Sequence, residues 1–68
     1  MITNHVQKFR NLTDLTQQEL ADKVGVSRQT ISAIEKGSYN PSLELAFKLS
    51  FALNTDLTTL FEYNQKDS

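Results

Sequence analysis

The chain has no cysteine, no tryptophan, one histidine, one proline and two glycines among its 68 residues. Without cysteine there is no disulfide framework, and His5 alone cannot build a protein-only zinc or iron site. A core of ordinary hydrophobes must therefore hold the fold. No run of about 20 apolar residues occurs, which excludes a membrane-spanning helix, and MITNHVQKFRNL lacks the apolar stretch of a signal peptide. The expected location is the cytoplasm, and the expected organisation is a single domain over residues 1–68. Nor is there an excess of positive charge: the net charge is −1, with five basic against four acidic residues in 1–37 and two against four in 38–68. Any contact with nucleic acid would have to rest on local geometry rather than on a basic surface.

What the sequence does have is a series of helix starts and stops. Thr16 followed by Glu19 is a capping box ahead of Leu20, Ala21 and Val24, and Gly25 supplies a left-handed stop, so a helix is predicted from about Gln17 to Val24. Ser27 caps a second helix carrying Ile31 and Ile34, and Gly37 ends it. Pro41 discourages helix before it, Ser42 caps the next, and Leu45, Ala46, Leu49, Ala52 and Leu53 recur at helical spacing as far as Leu53. Asn54 is a fair terminator, after which Thr55 or Asp56 caps a last turn through Leu57 and Leu60. At the front, Val6, Phe9 and Leu12 place an apolar stripe on a first helix from about Asn4. Ile2–Thr3 and Phe61–Glu62–Tyr63 remain, either as a short two-stranded sheet between the termini or as frayed ends. The fold class is all-α, with five helices.

Two short helices joined through Gly25 and Val26 form a helix-turn-helix over about residues 17–36. Opposite Ile31 and Ile34, the second of these helices presents Arg28, Gln29, Ser32, Ala33 and Lys36. Ser32 and Ala33 are small enough for a large object to approach the backbone, and the major groove of B-DNA admits such a helix. Arg28 suits guanine O6 and N7, Gln29 suits adenine N6 and N7, and the Ala33 methyl suits a thymine methyl. The helix N-terminus at Gln17 and Gln18 can face a phosphate, with Ser27, Thr30, Tyr39 and Asn40 as flanking donors. Each has a plainer reading: Ser27 as a cap only, Tyr39 as a lid on the core, Asn40 as a turn residue. Arg10 and Glu35 both lie beside inward residues and are expected to form a structural ion pair.

QQELADKVGVSRQTISAIEKG together with YNPSLELAFKLSFALN resembles the Cro/C1-type, or XRE-family, helix-turn-helix regulators over roughly Val6 to Phe61. The resemblance implies a five-helix, lambda-repressor-like domain that binds operator DNA as a homodimer with its third helix in the major groove. It implies base contacts from Ser27, Arg28, Gln29, Ser32 and Ala33, and backbone contacts from Thr16, Gln17, Tyr39 and Asn40. Thr30 and Lys36 join the phosphate set by position. SRQTISAIE, YNPSLELA and LFEY resemble short stand-alone repressors, some of which dimerise through the last helix and a small terminal sheet. That gives Leu57, Leu60, Phe61 and Tyr63 as the expected dimer interface.

An enzyme is not expected: there is no cysteine nucleophile, His5 stands alone near the N-terminus, and the carboxylates occupy capping and surface positions. No cofactor, metal or small-molecule ligand is implied. The competing function is a protein-interaction module of the same fold, such as an antitoxin, for which only NQKDS is left over to cover a partner.

Overall fold

In the computed structural model, which describes residues 2–64, the local signals set the helix ends. The capping box forms in full: Thr16 Oγ1 accepts from the Glu19 N–H at 3.0 Å, and Glu19 Oε1 accepts from the Thr16 N–H at 2.9 Å. A helix follows over Gln17–Val24 and stops at Gly25, whose φ of 79° is left-handed. Ser27 accepts from the Thr30 N–H to open a helix over Arg28–Lys36, closed by Gly37 at φ 82°. Ser42 accepts from the Leu45 N–H and starts a helix over Leu43–Ala52. Asn54, at φ 56°, then turns the chain into a four-residue helix, Leu57–Leu60. Its N-cap position is Asp56, whose side chain makes no capping bond.

The first helix spans Val6–Leu12 rather than starting at Asn4. Asn4 belongs instead to a strand, Ile2–Asn4, that pairs antiparallel with Phe61–Tyr63. In chain order the elements are β1 (Ile2–Asn4), α1 (Val6–Leu12), α2 (Gln17–Val24), α3 (Arg28–Lys36), α4 (Leu43–Ala52), α5 (Leu57–Leu60) and β2 (Phe61–Tyr63). The register places Ile2 opposite Tyr63, Thr3 opposite Glu62 and Asn4 opposite Phe61. The ends of the described chain thus form a sheet, through Ile2–Asn4 and Phe61–Tyr63. Of NQKDS, residues 65–68 lie outside the described residues.

The core contains Val6, Leu20, Ala21, Val24, Ile31, Ile34, Leu45, Leu49, Leu53 and Leu60, with Phe9, Leu15, Val26 and Phe61 packed against it. Leu12 does not follow Val6 and Phe9 inward; it is 69% exposed. The reason is the turn after it: Asp14 takes φ 59° and brings Leu15 onto the core in its place. Leu60 also corrects an expectation. It is wholly buried within the subunit, so it has no apolar surface to offer a second copy.

Candidate nucleic-acid interface

The core face of α3 is Ile31 and Ile34, both fully buried. At about 100° per residue, Gln29 and Lys36 share the direction opposite that pair, with Arg28 and Ser32 to one side and Ala33 to the other. Arg28, Gln29 and Lys36 are exposed, and Ser32 and Ala33 are half-buried. A long donor at each exposed position surrounds a low centre made by a hydroxymethyl and a methyl. That relief fits a base edge against Ser32 and Ala33 while the longer side chains reach past it.

Ser27 is exposed at the mouth of α3 and does more than cap it. Its Oγ lies 3.1 Å from Thr30 Oγ1 while accepting from the Thr30 N–H. One hydroxyl donates to the other, which leaves one hydroxyl hydrogen of the pair for an outside acceptor. Thr16 stands at the start of α2 with its oxygen committed to the cap, and its own hydroxyl hydrogen can still be donated. The backbone N–H groups of the first turn of α2, at Gln17 and Gln18, have no acceptor within the helix and carry the positive end of its dipole.

The Gln17 side chain is turned another way. Its Nε2 donates to Glu35 Oε1 at 2.9 Å, so its contribution to a phosphate would come from its backbone. Glu35 also accepts from Arg10, at Oε2 from Nε at 2.6 Å and at Oε1 from Nη2 at 3.3 Å. Arg10 Nη1 donates to the Leu15 carbonyl at 2.8 Å. The Arg10 and Glu35 side chains are only 12% and 5% exposed, so Arg10 is turned inward, away from any phosphate. This cluster joins α1, α2 and α3 and fixes the angle at which α3 is presented. Sequence reasoning placed the two charges but missed Gln17 as their third partner, although its place in the first turn of α2 is the signal that would have found it.

Tyr39 and Asn40 are exposed after α3. Asn40 also faces an open apolar groove that it lines with Ile2, Pro41, Leu43, Leu57 and Phe61. Leu57 and Phe61 are half-buried and Tyr63 is 71% exposed. Leu43, Phe47 and Phe51 form an exposed stripe along α4 at a spacing of four that sequence reasoning did not single out. Among the described residues no group of acidic, histidine or cysteine side chains is placed to hold a metal, and no helix is long and apolar enough to cross a membrane.

The helix-turn-helix is shared with known proteins. A family model described as helix-turn-helix matches residues 6–60. An HTH-type transcriptional regulator of Methanocaldococcus jannaschii is 48% identical over 64 residues, which cover 94% of this chain and 97% of that protein. The cryptic phage CTXphi transcriptional repressor RstR of Vibrio cholerae is 38% identical over 50 residues, 74% of this chain and 45% of that longer protein. Among solved structures, the biofilm master regulator SinR in complex with DNA superposes with a TM-score of 0.75 at 30% identity, covering 81% of this chain and 89% of that one.

Proposed function

The chain belongs to the helix-turn-helix family of transcriptional regulators, and on that footing we propose that it is a homodimeric repressor that reads an inverted-repeat operator through α3. The observation that carries this reading is the outer face of α3, where exposed Arg28 and Gln29 flank small Ser32 and Ala33. Ser27, Arg28, Gln29, Ser32 and Ala33 meet base edges. Thr16, the Gln17 backbone, Thr30, Lys36, Tyr39 and Asn40 hold phosphates on either side, largely through neutral donors and amides. The similarity to a phage repressor supports the sign of regulation. The second copy covers Leu57, Phe61 and Tyr63 along the groove with Ile2 and Leu43, surfaces that one subunit leaves partly in water. The protein works as one domain in the cytoplasm.

The test is selection from random duplex DNA by the purified protein, beside an Arg28→Ala variant at the same salt. The expected product is a palindrome whose half-site centres lie about one helical turn apart. Arg28→Ala removes discrimination at one base pair per half-site, by about 1–3 kcal/mol, and leaves the dimer intact. A folded protein that enriches no sequence would show that α3 faces another protein, and a variant with an unchanged preference would show that Arg28 does not read a base.

A further inference from the structure

The Asn4 side chain joins two parts of the molecule that the function treats separately. From β1 its Nδ2 donates to the backbone oxygen of Ile34 at 2.8 Å, and its Oδ1 accepts from the Val6 N–H at 3.1 Å. One end of the amide therefore holds the C-terminal half of α3, and the other holds the first turn of α1. Asn4 is also the sheet partner of Phe61, which lines the apolar groove with Ile2, Leu43 and Leu57. The next residue continues the attachment, with the His5 N–H donating to the Leu60 carbonyl at 2.8 Å. A single residue thus separates the groove from the helix that carries Arg28 and Gln29.

The cluster around Glu35 ties α3 to α1 and α2, within the helix-turn-helix half. Asn4 ties it to the terminal sheet. We propose that Asn4 is a positioning residue that sets the tilt of α3 against the dimer groove, and so the half-site separation that the dimer accepts. This rests on the homodimeric reading above. In a symmetric dimer the tie occurs twice, so a change of tilt is repeated across the two-fold axis and accumulates in the distance between the two reading helices. Arg28 and Gln29 lie at the opposite end of α3 from Ile34, so the effect falls on spacing and not on base preference. An amide is required because it donates to one backbone and accepts from another; a carboxylate accepts only, and a serine is too short to reach both.

Two variants test this. Asn4→Asp keeps the acceptor for the Val6 N–H and removes the donor to Ile34, and Asn4→Ser keeps a local acceptor without the reach. In the free protein, amide hydrogen exchange at Gly37 and Ser38, which donate to the Ile34 and Ala33 carbonyls, is expected to quicken about fivefold, the equivalent of one hydrogen bond, with α2 unchanged. On DNA, wild type and variants are titrated against its selected half-sites at the native spacing and at one base pair more or fewer. The wild-type preference for native spacing is expected to fall about fivefold in the variants while the half-site sequence preference stays the same. Unchanged exchange at Gly37 and Ser38, or an equal loss of affinity at every spacing, overturns the proposal. A wild-type protein that selects isolated half-sites overturns the spacing claim together with the dimer. Strictly spaced sites that the variants read as wild type does overturn the role of Asn4 alone.

Discussion

The helix-turn-helix half and the terminal half of this molecule are closed by different means. In the first, both ends of α2 and of α3 are met by a residue a few positions away: Thr16 with Glu19, Gly25, Ser27 and Gly37. In the second, α5 begins without a side-chain cap, and two three-residue strands depend on partners from the opposite end of the chain. Their surfaces differ in the same sense. The first turns long polar side chains and a small-residue centre outward, whereas the second leaves Ile2, Leu43 and Tyr63 in water. On the proposed reading, the surface that matches a duplex is built on local constraints, and the surface that meets a second copy is the one with exposed apolar area.

The largest expected effect tests whether the first half is held by its buried charges. Glu35→Ala strands Arg10 with little solvent to compensate it and removes the acceptor of Gln17, so it should destabilise the protein by about 3–5 kcal/mol in chemical denaturation. Arg10→Met with Glu35→Leu should recover most of that loss, because the penalty lies in the unpaired charge. A loss near zero for the single change would mean that water reaches the cluster. Next comes Gly25→Ala. A Cβ there meets nothing within 4 Å, so the penalty is the left-handed backbone alone, about 1–2 kcal/mol in thermal unfolding. Asn54→Gly in the other half, at φ 56°, should change stability by less than about 0.5 kcal/mol, since relief at the turn is offset by a freer unfolded chain.

These contrasts explain what could be read in the sequence. α2, Gly25 and α3 were legible to the residue because caps and left-handed glycines act over three or four positions. The Arg10–Glu35 pair was legible because two charges sat beside inward residues of neighbouring helices. Asn4 was not: nothing in its local sequence separates the last residue of a strand from the first turn of a helix, and only pairing with Phe61 decides it. Leu12 was misplaced because its fate depends on the left-handed turn at Asp14, a residue type that tolerates that backbone without announcing it. Leu60 enters the expected interface only through the resemblance, by its place in LFEY. The core takes Leu60 whole and leaves Leu57, Phe61 and Tyr63 with surface to spare.

A cap comparison gives a smaller contrast. Ser27→Ala removes the acceptor for the Thr30 N–H at the mouth of α3 and should destabilise by about 1 kcal/mol. Asp56→Ala occupies the matching position of α5 but removes no capping bond, so its effect should stay within about 0.5 kcal/mol. Equal losses at the two sites would show that the terminal half is capped after all, through water or a rotated Asp56.

The smallest expected effect is at the contact between His5 and Glu62 in the terminal half. His5 Nε2 and Glu62 Oε1 are 3.0 Å apart, with side chains 32% and 58% exposed, in contrast to the buried pair of Arg10 and Glu35. Solvent screens a pair of that exposure, and Glu62→Gln keeps an oxygen that the imidazole N–H can still approach. The expected loss is below about 0.5 kcal/mol, read as a shift in denaturation midpoint with an unchanged slope. A loss of more than about 1 kcal/mol would break the comparison, because the terminal sheet would then be held by charge as the helix-turn-helix half is. A changed slope would carry a different meaning: the sheet would be opening separately from the core, and β1, with Asn4 on it, would be leaving α3 before the rest of the molecule unfolds.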